Sequence, residues 1–360
     1  MSTCPSITDL PHLIESLPEA GRRRFERIFH LSLTTGHLVP LPVMHPWIER
    51  YFGSVEAVTA QQIVKLTNFV TWEGALFNDL RARRPLEARD HGDARRIIGH
   101  NGSGPFANPL EGTPEDSFGR IKGRYSITAS NIAKYDGFHG LVIFDEHDPL
   151  EFDRESLGDY LDTALAWAAK AHETDPAARY FFFMWNCLWK SGASIIHGHA
   201  QMTLTRDMHY AKVEALRRVA LGYQQQYGTS YFKDLYDIHH DLGLTFGDDV
   251  VRGMAYLTPV KEKEVLLIAD NIDDAFKDVL YHTLEAFTRE LDVLSFNFVL
   301  YMPPLSGVEG EDWSGFPVMA RIVDRGDLGN KVTDFGGMEL YAQSVIGTDP
   351  FFVARTLRRN

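Results

Sequence analysis

Apolar positions recur along this chain with two different periods, and the change from one to the other divides it. In residues 19–33 the side chains of Phe25, Ile28, Phe29 and Leu33 fall at helical spacing. Residues 59–80 continue this way, with Ile63, Leu66, Phe69, Val70, Leu76, Phe77 and Leu80. The proline-rich stretch 40–46 separates the two segments. The pattern predicts an N-terminal helical region over residues 1–98. Residues 99–117, rich in Gly, Pro, Ser and Asn, read as a loop.

From Gly119 the character changes. Residues 125–128 and 140–144 are short β-like runs, with Asp136-Gly137 between them as a turn signal. Residues 156–171 predict a helix with Ser156 as N-cap and Leu161, Leu165, Ala168 and Ala169 along one side. An aromatic strand over 180–185, a strand over 195–205 and a helix over 210–227 follow. The second half repeats the order. Residues 255–257 and 265–268 read as strands, 273–293 as a helix, 296–301 and 318–323 as strands, and 337–344 as a late helix. Strand–strand–helix–strand–strand occurring twice predicts a duplicated unit, one copy over 99–240 and the other over 241–360.

Composition sets outer limits. The chain has 360 residues, 44% hydrophobic and 24% charged, which is the balance of a folded globular protein with ample core. No run of about 18 apolar residues exists, so no membrane span is expected. The first ten residues lack the basic and apolar regions of a signal peptide, and Cys4 and Cys187 are too few for a disulfide framework. A cytoplasmic protein is the expectation. The net charge of −13 argues against nucleic-acid or acidic-membrane partners, but not against a small phosphorylated ligand. Local basic charge exists at Arg81, Arg83, Arg84, Arg89, Arg95 and Arg96.

The chemistry concentrates in Ser191-Gly192-Ala193-Ser194-Ile195-Ile196-His197-Gly198-His199-Ala200-Gln201. On a strand over 195–205, His197, His199 and Gln201 share one face, each pair roughly 6.5–7 Å apart along the backbone. A histidine beside a neutral amide donor, after a loop of small residues, suits attack on phosphorus. The matching second-half stretch, Phe316-Pro317-Val318-Met319-Ala320-Arg321, has no histidine pair, so the first half is expected to supply the nucleophile.

These residues resemble the galactose-1-phosphate uridylyltransferase branch of the histidine-triad superfamily. The resemblance rests on His197-Gly198-His199-Ala200-Gln201, on the loop Gly192-Ala193-Ser194, and on Phe183-Met184-Trp185-Asn186 before it. Further support comes from Ser130-Asn131, from the segment Phe138 to His147, and from Asp334-Phe335-Gly336-Gly337-Met338-Glu339-Leu340. It covers roughly residues 105 to 350. The resemblance implies an α+β fold of two histidine-triad-like units, antiparallel sheets with packed helices, behind the N-terminal helical extension, and a homodimer.

It also implies a ping-pong nucleotidyl transfer. The His199 imidazole attacks the α-phosphorus of a nucleotide donor, a nucleoside-diphosphate sugar or a dinucleoside polyphosphate, and a phosphate-bearing acceptor removes the nucleotide. Gln201, Ser194 and the Gly192 and Ala193 backbone would stabilise charge on phosphate. Asn186 and Asn131 would contact nucleotide or phosphate, Glu339 the substrate near its sugar, and His197 would support His199. An amide at 201 cannot shuttle a proton, which favours transfer over the alternative of a nucleotide hydrolase; a catalytically silent nucleotide-binding protein is the third reading. The family's Cys-x-x-Cys zinc pair is missing, which leaves His147 and His197 as candidate ligands for a divalent metal and no other cofactor expected. Thr333-Asp334 replaces the family's Lys-Phe, so the sugar-phosphate end is expected to be remodelled and galactose 1-phosphate is not the expected substrate. The nucleobase stays open.

Overall fold

The computed structural model describes residues 5–78, 80, 97–99 and 104–358. The arginine cluster at 81–96, Cys4 and most of the glycine-rich loop 99–104 lie outside the described residues.

The core is a nine-stranded sheet. Its strands, in chain order, are β4 (Ser126–Ser130), β5 (Phe138–Phe144), β6 (Ala178–Asn186), β7 (His199–Arg206), β8 (Thr245–Gly247), β9 (Arg252–Ala255), β10 (Val265–Ala269), β11 (Phe296–Tyr301) and β12 (Val318–Asp324). Across the sheet they run β4-β5-β7-β6-β11-β12-β10-β9-β8, every pair antiparallel. The connectivity repeats about the β6–β11 seam. β4-β5-β7-β6 carries helix α5 (Arg154–Thr174) between β5 and β6, and β9-β10-β12-β11 carries α8 (Asp274–Arg289) between β10 and β11. At the seam Asn186 pairs with Asn297 and Met184 with Val299.

The period of two along these strands sends one set of side chains to each face. One face is the main core, where Phe183, Trp185, Phe298, Leu300, Ala320 and Ile322 are all buried beneath the two long helices. Phe144 stacks on Tyr160 of α5 at 3.7 Å between ring centroids and meets Trp185 edge-on. Gly140 is required on this face, since a Cβ there would lie 2.7 Å from the Trp167 indole. The N-cap of helix α5 lies three residues before Ser156, at Asp153, which accepts from the Ser156 amide at 2.8 Å, while Ser156 Oγ accepts from the Asp153 amide at 2.9 Å.

The N-terminal region departs from the all-helical expectation. Helix α1 (Leu10–Ser16) and helix α2 (Glu19–Ile28) form, but the chain passes straight from Ile28 into β1 (Phe29–His37). Residues 59–80 are not a helix. After α3 (His45–Phe52) and α4 (Val55–Thr59) come β2 (Ala60–Asn68) and β3 (Gly74–Phe77). Val64 and Leu66 are buried while Lys65 between them is exposed, a period of two that the wider spacing of Ile63, Leu66 and Val70 also fits as a helix. The turn is closed by Asn68, whose Oδ1 accepts from the amides of Val70 (2.9 Å) and Thr71 (3.1 Å). Residues 337–344 split into α9 (Gly337–Tyr341) and β13 (Ser344–Ile346), and β13 completes a small sheet of order β1-β2-β3-β13. Helices α6 (Ala211–Tyr227), α7 (Tyr231–Asp241) and α10 (Pro350–Leu357) follow the strands, and a single helical turn, Pro109–Gly112, interrupts the stretch expected to be all loop; this turn, α7 and α10 were not evident from the apolar pattern. Among the described residues no helix is long and apolar enough to cross a membrane.

Candidate active site

The second face of the large sheet carries the chemistry. His199 opens β7 and pairs with Ile143. The expected strand over 195–205 therefore starts late: residues 195–198 are irregular, although Gly198 still takes the Phe144 amide on its carbonyl at 2.9 Å and donates to the His147 carbonyl at 2.9 Å. Gln201 pairs with Leu141 on one side and Met184 on the other. Continuing the β6–β7 register two residues beyond Met184 brings Asn186 opposite His199.

His199 is buried, and its Nδ1 lies 2.7 Å from the His197 carbonyl oxygen. A carbonyl only accepts, so Nδ1 carries the proton and Nε2 keeps its lone pair. Among the described residues nothing hydrogen-bonds that Nε2. Burial pushes the imidazole pKa below the ordinary histidine value, against the carbonyl contact that raises it. The Phe106 ring meets His199 edge-on, centroids 5.0 Å apart, and belongs to a small apolar cluster with Ile127, Ala129, Leu141 and Ile143.

His197 turns the other way. Its Nε2 donates to the Phe144 carbonyl at 2.8 Å, and its Nδ1 lies 3.2 Å from Nδ1 of His147. His147 Nε2 in turn lies 2.9 Å from the Ile98 carbonyl. With both Nε2 atoms donating to carbonyls, two Nδ1 lone pairs face each other, and one proton or one cation satisfies both. Two imidazoles are half of a tetrahedral zinc set, and the described residues hold no group of three or more potential metal ligands.

The loop between β6 and β7 is tightly folded on itself. Gly192 donates its N–H to Trp189 and Ala193 to Leu188, each at 3.2 Å, so both amides point into the loop. Leu188 stands at φ 66°, ψ 177°, a region that only glycine visits freely, at a cost of about 1–3 kcal/mol. It is held there by burial of its side chain and by its carbonyl, which also accepts from Ser191 Oγ at 2.7 Å. Ser194 is exposed, and no described residue hydrogen-bonds it.

Two amides flank His199, and both are tied through their oxygens. Gln201 Oε1 lies 3.0 Å from His139 Nε2. Asn186 Oδ1 accepts from Asn297 Nδ2 at 2.7 Å. Asn131 lies beside the first of these, its Nδ2 3.2 Å from His139 Nε2. His139 and Asn297 were not evident as site residues, although alternation along β5 places His139 on this face.

Glu339 stands elsewhere. It lines a cavity of about 510 Å³ with Lys261, Arg325 and Asp334, and its carboxylate accepts from the Gly336 amide at 2.9 Å. Arg325 links that cavity to the histidine loop: it holds Asp334 through Nε at 2.8 Å and donates through Nη1 to Asn297 Oδ1. A second cavity, of about 580 Å³, opens on the same sheet face between α6, the turn after β2 and strands β11 and β12. Its floor holds Arg321, which donates through Nε to Glu264 (2.7 Å) and through Nη1 to Glu73 (2.8 Å).

No protein-family model and no curated protein matches the sequence. Solved structures do match. An ADP-glucose phosphorylase from Arabidopsis thaliana with bound ADP-glucose superposes with a TM-score of 0.62 at 16% identity, over 81% of this chain and 97% of that one. A GalT-like protein from Arabidopsis thaliana gives 0.60 at 16% identity, over 80% and 96%. A uridylyltransferase gives 0.57 at 16% identity, over 81% and 96%. With its duplicated antiparallel sheet, the chain shares the fold of these phosphorylase and uridylyltransferase structures.

Proposed function

We propose that this protein is a nucleotidyltransferase, either a nucleotide-sugar phosphorylase or a related transferase, working through a nucleotidyl group on His199. The observation that carries this reading is the pairing of His199 Nδ1 with the His197 carbonyl, which leaves a neutral imidazole whose Nε2 has no partner among the described residues and stands beside two amides. The likeness in fold to a phosphorylase with bound ADP-glucose and to a uridylyltransferase supports a nucleotide donor.

In the first half-reaction the Nε2 lone pair attacks the α-phosphorus. The N–P bond forms, the P–O bond to the leaving phosphate breaks, and that oxygen departs with the bonding electrons. The ring becomes cationic while Nδ1–H stays on the His197 carbonyl, a charge-assisted bond that strengthens as the charge develops. A phosphate oxygen of the acceptor then attacks phosphorus, the N–P bond breaks, and Nε2 recovers its lone pair. Neither step requires a proton at position 201, because phosphate leaving groups need little protonation. This is the ground for preferring transfer to hydrolysis. Glu339 and the cavity it shares with Lys261 and Arg325 are assigned to the acceptor side, and a homodimer is the working assembly.

The test is a panel of nucleoside-diphosphate sugars and dinucleoside polyphosphates labelled at the α-phosphate. The expected result is acid-labile label on the protein, lost in His199→Gly and discharged by phosphate or a sugar phosphate. Absence of label and turnover across the panel rejects the reading, and steady hydrolysis without acceptor replaces it with the hydrolase.

A further inference from the structure

The two amides beside His199 are not free to turn, and the groups that hold them determine which end each presents. Carboxamide oxygen and nitrogen are similar in shape, so their identity must come from partners that have only one option.

For Gln201 the chain of constraint begins at a backbone amide. The Tyr135 N–H points at His139 Nδ1 from 3.0 Å and can only donate, so Nδ1 is the acceptor nitrogen of that ring. His139 is fully buried, with the Tyr135 ring stacked on it at 4.4 Å, and burial favours its neutral form. A neutral ring with an accepting Nδ1 carries its proton on Nε2. That Nε2–H meets Gln201 at 3.0 Å, so the Gln201 atom in contact is the oxygen. Asn131 turns the donor Nδ2 toward the same Nε2 from 3.2 Å, because its Oδ1 is held by the Ala133 N–H at 3.0 Å; the Nε2–H goes to the shorter Gln201 contact, and the Asn131 NH₂ takes no bond from that ring.

For Asn186 the chain begins at Arg325, whose guanidinium can only donate and does so to one end of the Asn297 side chain. The other end of Asn297 faces the Ser191 carbonyl at 3.0 Å, which can only accept. Asn297 therefore presents its NH₂ to Asn186 at 2.7 Å, and the Asn186 atom in contact is again the oxygen. Among the described residues nothing accepts from Gln201 Nε2 or Asn186 Nδ2, and both side chains are half-buried.

We propose that His139 and Asn297 are positioning residues that lock Gln201 and Asn186 with their NH₂ groups toward His199, so that the site presents two donors and no amide acceptor to an anionic oxygen. This rests on the reading of His199 as the nucleophile only for its kinetic consequence; the locked orientation belongs to the free protein. It explains how an acidic chain holds a phosphate without a described cation at the nucleophile: the donors are neutral, directed and fixed before the substrate arrives.

The first test needs no substrate. In protein carrying ¹⁵N-histidine, the His139 ring, assigned by its loss in His139→Phe, is expected in the Nε2–H tautomer from pH 6 to 8. The Nδ1–H tautomer or an imidazolium overturns the proposal. The second test is a double-mutant cycle on the rate of α-phosphate labelling. His139→Phe, which keeps the ring and its stacking, is expected to slow labelling roughly 10–100-fold in the native background and not at all in Gln201→Ala. His139→Gln, which restores a donor near Nε2, is expected to recover part of the rate. Asn297→Leu should behave the same way against Asn186→Ala. Equal losses in both backgrounds show a merely structural role and overturn the proposal. If no donor labels the native protein, the nucleophile reading falls, and the tautomer measurement still decides the positioning.

Discussion

Gly198 and Phe144 are locked together at the entrance to the histidine strand: the Phe144 amide donates to the Gly198 carbonyl at 2.9 Å, and a Cβ on Gly198 would lie 2.6 Å from the Phe144 ring. The same Cβ would lie 2.9 Å from the Glu146 carbonyl, which is backbone and cannot step aside cheaply. The residue between the two histidines is therefore glycine for want of space. Gly198→Ala is expected to cost about 1–3 kcal/mol of stability by overpacking, measured by denaturant unfolding. It should also slow labelling at His199, because the shifted backbone carries the His197 carbonyl with it. A variant with native stability and native rate rejects this account.

The neutral state of His199 sets the acid side of any rate profile. Its pKa is depressed chiefly by burial, and the protonated ring has no lone pair on Nε2. Activity should therefore persist as pH falls through the ordinary histidine value of about 6.5, and fail only below it. The linkage runs in the same direction. The unfolded chain takes up this proton first, so the His199 contribution to stability is present above the unfolded pKa and is lost as pH falls below it. The measurement is the pH dependence of single-turnover labelling; an acid limb at or above 6.5 contradicts it.

Arg321 presents the opposite case, a buried charge held by two carboxylates. Its side chain is 14% exposed, against 21% for Glu73 and 0% for Glu264. Arg321→Met leaves both acids in place without a cation, which is expected to cost about 3–5 kcal/mol. Burial already raises the Glu264 pKa in the native protein, and removal of the cation raises it further. A folded-state pKa above the unfolded one favours folding at lower pH, so the deficit should shrink as pH falls from 7 to 5. Thermal unfolding at the two pH values checks this; a deficit that grows toward pH 5 contradicts it.

What the sequence shows of this protein follows from the range of its interactions. His197, His199 and Gln201 are legible because they lie on or beside one strand with chemistry at every second position, and the duplicated strand order is legible because each unit is local. The N-terminal sheet is not, because Ile63, Leu66 and Val70 satisfy a helical spacing while Val64 and Leu66 satisfy a strand, and pairing with β1 decides between them. His139 and Asn297 were hidden for a different reason. They meet Gln201 and Asn186 across 62 and 111 residues of chain, and only strand register brings them together. The small-residue loop suggested amides aimed at phosphate, yet Gly192 and Ala193 spend theirs on the loop itself. Composition carries no information on that choice, which depends on backbone dihedrals at Leu188 and Gly192.

The two histidines of the motif should separate under mutation because they act through different atoms. His199 contributes its ring nitrogen, whereas His197 touches His199 only through its backbone carbonyl, at 2.7 Å. The His197 ring points away, to the Phe144 carbonyl at 2.8 Å and to His147 at 3.2 Å. His197→Gln keeps a donor long enough to reach the Phe144 carbonyl and leaves the backbone unchanged. It is expected to reduce labelling by no more than about tenfold, the size of one net hydrogen bond of roughly 1 kcal/mol with some loosening, while His199→Gly abolishes it. Rates from quenched-flow labelling distinguish the two. If His197→Gln is as inert as His199→Gly while remaining folded, the His197 ring itself takes part in the chemistry, and the carbonyl is not its whole contribution.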